Sequence, residues 1–134
     1  IKMDEIQLWN NWQSGRLADG VIFIGTIIAI WLALRVANLT RENPETDTIA
    51  KIVSSIFCLV VVYGSWVAYT VAANTWTLTA GALSALDNRT EVADGFIEYV
   101  GVSGPVSTPS PEGMIFLAVV TVMCLVLIWR PKNN

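Results

Sequence analysis

The amino-acid sequence predicts an all-α integral membrane protein with three transmembrane helices. Three runs without Asp, Glu, Lys or Arg carry this prediction, at residues 20–34, 52–86 and 114–129. A charged side chain at the centre of a bilayer costs about 2.5–3.5 kcal/mol on insertion scales, so long uncharged runs are typical of membrane helices. The composition agrees, because 54% of the residues are hydrophobic and 14% are charged, against about 25% charged residues in soluble domains.

Residues 1–16 are predicted to form a short amphipathic helix at the membrane interface. Ile6, Trp9 and Trp12 recur every three residues, and most positions between them are polar. Because indole rings favour the headgroup region, Trp9 and Trp12 are predicted interface anchors. A soluble helix that packs on a partner is the competing interpretation.

The first transmembrane helix is predicted at 17–39. About 20 helical residues suffice to cross a hydrocarbon layer of ~30 Å. Asp19 and Arg35 lie near the two ends of this segment, where side chains can reach water, and Arg35 is a further predicted anchor. Asn43-Pro44 breaks the helix, and the Thr-Asp-Thr run at 46–48 offers N-cap oxygens for the next one. Because this connection is short, the first two spans should be antiparallel neighbours.

The second transmembrane helix is predicted at 48–76, with a helical extension at 77–86. The whole stretch lacks Pro, and as a helix it would be on the order of 58 Å long, almost twice the hydrocarbon thickness. Lys51 marks one interface and Trp76 the other, and both are predicted anchors. The extension either projects from the membrane or bends near Asn74. Its small residues bury little surface alone, so it should need a partner surface.

One face of the second helix carries small residues at spacings of three or four, which let helix backbones approach closely. We predict a packing surface for another span or another subunit from these positions and the extension: Ser54, Cys58, Gly64, Ser65, Ala68, Ala72 and Gly81. Cys58 should lie at the same depth as Cys124 of the third helix. The sequence leaves open whether the two thiols meet or serve as small apolar fillers.

Residues 87–113 are predicted to form an extramembrane loop rich in Pro and Gly. An apolar patch at 96–100 within this loop is expected to be a strand or an interfacial turn. The third transmembrane helix is predicted at 114–130, with 111–113 also entering the interface. Trp129 and Arg130 are the predicted anchors at its end.

The distribution of Lys and Arg predicts the orientation. The first connection and the C-terminus hold Arg35, Arg41, Lys51, Arg130 and Lys132, whereas the opposite side holds Lys2, Arg16 and Arg89. This bias predicts an N-terminus outside and a C-terminus in the cytoplasm, in a bacterial inner membrane.

The sequence predicts no catalytic, metal or cofactor site. It contains no histidine, which excludes bis-His haem and the commonest general acid or base. No charged side chain lies in the core of a predicted span, which argues against a proton-coupled pump. A net charge of −3 provides no basic surface for nucleic acid, and no small-molecule substrate is evident.

The functional hypothesis is a non-catalytic accessory subunit of a larger membrane complex. It would stabilise the assembly, pack lipid and helices, and clamp an extramembrane domain with the extension and the Pro-rich loop. The expected partners are other membrane subunits and lipids. The alternative is a self-assembling pore or holin-like protein, whose Ser, Thr and Asn side chains would line a channel.

Overall fold

A computed structural model describes residues 4–130 of the 134-residue chain and contains four helices. The helices are α1 (Glu5–Glu42), α2 (Thr48–Ser84), α3 (Glu91–Val100) and α4 (Pro111–Trp129). Three of them, α1, α2 and α4, are long and apolar enough to cross a membrane, and residues 4–130 include no strand. The predicted fold class is confirmed.

The N-terminal segment is the first part of α1, with no break between the predicted amphipathic helix and the first span. Asp4 begins the helix through a capping box: its Oδ1 accepts a hydrogen bond from the Gln7 N–H at 2.8 Å, and Gln7 Oε1 accepts one from the Asp4 N–H at 3.2 Å. No Pro follows before the end of α1. The helix is therefore about 57 Å long and, like α2, exceeds the hydrocarbon layer. Residues 1–3 lie outside the described part of the chain.

Helix α2 continues through Asn74 to Ser84, so the extension belongs to the same helix. Of the three N-cap candidates at 46–48, Asp47 caps the helix, since its Oδ1 accepts a hydrogen bond from the Ala50 N–H at 2.8 Å. The turn at residues 43–47 reverses the chain, and α2 packs along α1. The two helices are antiparallel, as the short connection predicted.

The apolar patch at 96–100 belongs to a helix, α3, and the expectation of a strand or turn there is wrong. Thr90 caps the start of α3, and Gly101 ends it in the left-handed region at φ 70°, where a residue without Cβ is favoured. The apolar residues on the covered face follow helical rather than alternating spacing, at Ala93, Phe96, Ile97 and Val100.

A hydrophobic core joins the three long helices. Helix α4 begins with Ser110 as its N-cap and Pro111 in its first turn, slightly earlier than the predicted start at 114. The core side chains come from α1, α2 and α4: Ile30, Ala33, Ala37, Cys58, Leu117, Val120, Cys124 and Ile128. Ala33 and Ala37 of α1 are fully buried. Their small side chains allow the helix backbones to approach closely.

A second, smaller core lies at the end of the molecule away from the 43–47 turn. Leu8 of α1, Leu83 of α2 and Ala93 of α3 are buried together there. We call residues 4–16 and 74–110 the headpiece. The surface that the α2 extension was expected to need is thus provided by α1 and α3 of the same chain.

Asn74 fixes the segment after α3 to α2. Its Nδ2 donates to the Val106 carbonyl at 2.8 Å, and its Oδ1 accepts from the Val106 N–H at 2.9 Å. One amide side chain therefore satisfies both backbone groups of a loop residue. This pairing holds residues 101–110 against the helix.

Asn74→Leu should release this segment, because both backbone groups of Val106 lose their partner, at a cost of about 1–3 kcal/mol. We expect amide hydrogen exchange across residues 101–110 to accelerate roughly tenfold or more in the solubilised protein. Thr79→Val is the control, since the Thr79 hydroxyl bonds only within α2, to the Thr75 carbonyl. Unchanged exchange in Asn74→Leu would show that other contacts hold the loop.

Candidate functional site

Four aromatic rings from three helices pack at the centre of the headpiece. Phe96 stacks on Trp76, with ring centroids 5.7 Å apart and planes 9° apart. Trp9 and Trp12 meet Phe96 edge-on at centroid distances of 5.1 and 5.5 Å, and Trp12 meets Trp76 at 5.3 Å. Such pairs contribute about 0.5–1.5 kcal/mol each beyond burial. We call Trp9, Trp12, Trp76 and Phe96 the aromatic cluster.

Three members of the aromatic cluster are the predicted interface anchors Trp9, Trp12 and Trp76. The sequence did not predict that they contact one another. All three are half-buried, and their anchoring at a bilayer surface stays a prediction. Phe96 was missed as a site residue because its segment was interpreted as a strand or turn.

A carboxylate ties the start of α1 to the start of α3. Glu5 Oε2 accepts a hydrogen bond from the Thr90 N–H at 2.9 Å, and Glu5 Oε1 accepts from the Thr90 hydroxyl at 2.6 Å and from Trp9 Nε1 at 3.0 Å. These bonds, above all that from the Thr90 hydroxyl, hold the pKa of Glu5 below its ordinary value. The contact therefore stabilises the headpiece above the ordinary carboxyl pKa and is lost as pH falls through the lowered pKa.

Arg16 lies where the headpiece meets the spans. Its Nη1 donates to Asp19 Oδ2 at 3.2 Å, and its Cζ lies 5.1 Å from the centroid of the Trp76 ring. Asp19 was expected to reach water, but it is buried. Its residue is 8% exposed, and its carboxylate pairs with Arg16. In the sequence, Arg16 contributes only to the charge bias that predicts the orientation. The three-residue spacing from Arg16 to Asp19 was the available signal.

Part of the predicted small-residue face of α2 is covered by the other helices of the chain. Ser54, Cys58 and Ser65 are all buried. Ser54 Oγ lies 2.7 Å from the hydroxyl of Thr40 in α1. The Cys58 thiol donates to the Ala33 carbonyl of α1 at 3.5 Å. Cys58 and Cys124 belong to the same buried core cluster.

The remaining predicted packing residues differ in their surroundings. Ala68 and Ala72 are half-buried. A Cβ at Gly81 would lie 3.0 Å from the Ser103 carbonyl oxygen, so the loop backbone packs directly on α2 there. Gly64 is exposed, and a Cβ added to it would meet nothing within 4 Å. Whether another helix packs on Gly64 stays a prediction.

The predicted anchors at the opposite end of the bundle form their own contacts. Trp129 Nε1 donates to the Ser55 hydroxyl at 3.0 Å, and Lys51 Nζ lies 5.9 Å from the centroid of the Trp129 ring, close enough for a cation–π attraction. Arg35 and Arg130 are exposed. Their anchoring in a membrane stays a prediction.

Apolar and aromatic side chains dominate the headpiece and the ends of the bundle, and Glu5 and Arg16 are hydrogen-bonded to other side chains. Among residues 4–130, no group of three or more His, Cys, Asp or Glu side chains is placed to hold a metal ion. Comparison of the chain with protein-family models, curated proteins and solved structures gave no match.

Proposed function

We propose that this chain is a non-catalytic accessory subunit of a larger membrane complex and binds a partner subunit through α3. The exposed apolar face of α3 supports this role. Val92 and Tyr99 lie seven residues apart on the uncovered side of α3 and are 71% and 80% exposed. Seven residues are about two helical turns, so the two side chains share a face.

The uncovered face of α3 has the character of a protein interface. Aromatic side chains, Tyr among them, are enriched at interface centres, and Val102 continues the apolar surface at 48% exposure. The opposite face of α3 is held by the aromatic cluster, by the Glu5–Thr90 contact and by Ala93 in the small core. A surface supported in this way loses little freedom on binding, which favours affinity.

The pore hypothesis receives less support. The hydroxyl groups that would line a channel from α2 include those of Ser54 and Ser65, and both residues are buried within the chain. Ser65 Oγ donates to the Val61 carbonyl of its own helix at 2.9 Å. No observation on residues 4–130 favours a water-filled path over an accessory role.

Tyr99→Glu should weaken the complex at least tenfold, because the change places a charge at the centre of the proposed interface. Since the Tyr99 ring also lies 6.2 Å from that of Trp76, hydrogen exchange across α3 in the isolated variant checks that the headpiece stays folded. The test is gentle solubilisation of the native membrane, native electrophoresis, and mass spectrometry of the co-purifying proteins. Glu98→Gln is the matched control on the neighbouring exposed position. A ladder of homo-oligomers, or ion conductance by the purified chain alone, would contradict the accessory role.

We further propose that the chain lies in a bacterial inner membrane with the headpiece outside and the 43–47 turn in the cytoplasm. A membrane-impermeant maleimide applied to intact cells should then label Ser107→Cys and leave Glu42→Cys unlabelled. The unmodified chain is the control, since Cys58 and Cys124 are each 1% exposed and should react slowly. Labelling of both positions from outside would contradict the three-span topology, and labelling of position 42 alone would invert it.

A further inference from the structure

An open groove runs along the bundle from the spans into the headpiece. Its lower part, of about 460 Å³, is lined by apolar side chains of α1, α2 and α4, including Phe23, Ile27 and Phe116. Its upper part, of about 650 Å³, reaches Tyr99 and Val102. The two parts share Ala73, Trp76, Ser110 and Glu112, so they adjoin along the surface. We call this the lateral groove.

Two opposite charges line the lower part of the groove, and the positive one lies over the Trp76 ring. Arg16 and Glu112 both line the groove. The Arg16 side chain is 39% exposed, and one of its nitrogens, Nη1, bonds to Asp19. A guanidinium carries five N–H donors, so Arg16 retains donors for a further acceptor.

The charges along the lower part select the kind of occupant. Arg16, Asp19 and Glu112 sum to a net charge of −1, so a ligand with a net negative charge would be repelled. A ligand with one positive and one negative group matches both Arg16 and Glu112. The apolar lining below them requires that the ligand also carry a hydrocarbon chain.

We propose that the lateral groove binds a zwitterionic phospholipid whose phosphate is followed by a primary ammonium, as in phosphatidylethanolamine. The phosphate accepts hydrogen bonds from Arg16, for which guanidinium is well suited. The ammonium pairs with Glu112. One acyl chain lies along Phe23, Ile27 and Phe116. The groove meets the headpiece near Trp76, at the depth where lipid headgroups lie beside interfacial tryptophans.

The test uses the purified full chain in detergent, titrated with phosphatidylethanolamine or phosphatidylglycerol of identical acyl chains and followed by native mass spectrometry. This measurement needs no partner subunit, so its outcome is independent of the proposed accessory role. We expect the zwitterionic lipid to bind about tenfold more tightly, the effect of removing one unfavourable charge contact at a partly exposed site.

Three variants separate the parts of the site. Glu112→Gln should abolish the preference between the two lipids, chiefly by admitting phosphatidylglycerol. Arg16→Lys should weaken both several-fold, because an ammonium binds phosphate without the bidentate geometry of Arg. Ala73→Leu should fill the groove and weaken both about tenfold or more without a change of charge. Glu45→Gln in the distant 43–47 turn is the control and should change nothing.

Equal affinity of the wild-type chain for the two lipids would overturn the proposal. So would full binding by Ala73→Leu, because the lipid would then lie elsewhere. Binding of neither lipid would also overturn it and would leave the groove to a helix of another subunit. Should Arg16→Lys fail to fold, as judged by circular dichroism, Glu112→Gln and Ala73→Leu still decide the outcome.

Discussion

Replacing Trp76 with Ala is expected to destabilise the headpiece by about 3 kcal/mol. Trp→Ala changes at packed sites cost about 3–5 kcal/mol, and Trp76 is half-buried, which places the effect at the low end. The ring of Trp76 contacts Trp12, Phe96 and Tyr99 and lies beneath the guanidinium of Arg16. Its removal therefore weakens the contacts of α1, α2 and α3 together.

Amide hydrogen exchange across α3 is the appropriate measurement, because it reports local opening of the headpiece while the spans stay folded. A loss of about 3 kcal/mol corresponds to exchange roughly 100-fold faster. Trp76→Phe retains a ring and should give a smaller effect. Trp31→Ala removes the same side chain from a 64% exposed position in α1 and should leave α3 unchanged. If Trp76→Ala left the exchange of α3 unaltered, the aromatic cluster would not be the element that holds it.

The spans and the length of α2 were predictable because each depends on one local property. Absence of charge marks a membrane helix, and absence of Pro allows it to continue to Ser84. The N-terminal segment was separated from the first span because its polarity changes near Arg16. Polarity decides which part of a helix meets lipid, but it does not break a helix. The backbone therefore continues through Arg16 in α1.

The contacts within the headpiece were not predictable in the same way, because they join residues far apart in the chain. Trp9, Trp12 and Trp76 satisfy the pattern of interface anchors equally well whether they face lipid or one another. Among the small residues of α2, Ser54 and Cys58 are buried. The spacing of small residues alone does not show that α1 and α4 cover these two residues. Nor does it show that a Cβ at Gly64 would meet nothing within 4 Å.

Gly81 and Gly64 offer a matched pair, because both lie within α2 and only one is covered. Gly81→Leu should destabilise the headpiece by about 1–3 kcal/mol, since its Cβ would lie 3.0 Å from the Ser103 carbonyl oxygen and the loop backbone must move. Gly64→Leu should leave the isolated chain unchanged or stabilise it by up to about 1 kcal/mol through helix propensity. Thermal unfolding and hydrogen exchange at 101–110 measure both effects.

The same pair distinguishes contacts within the chain from contacts with a partner. Under the proposed accessory role, a helix of another subunit that packs on Gly64 would be displaced by a leucine. Gly64→Leu should therefore reduce co-purification of the partner while the isolated chain keeps its stability. Gly81→Leu should change both, since it disturbs the segment next to α3. If Gly64→Leu left the complex intact, Gly64 would face lipid, and α3 would carry partner binding without a contribution from this face of α2.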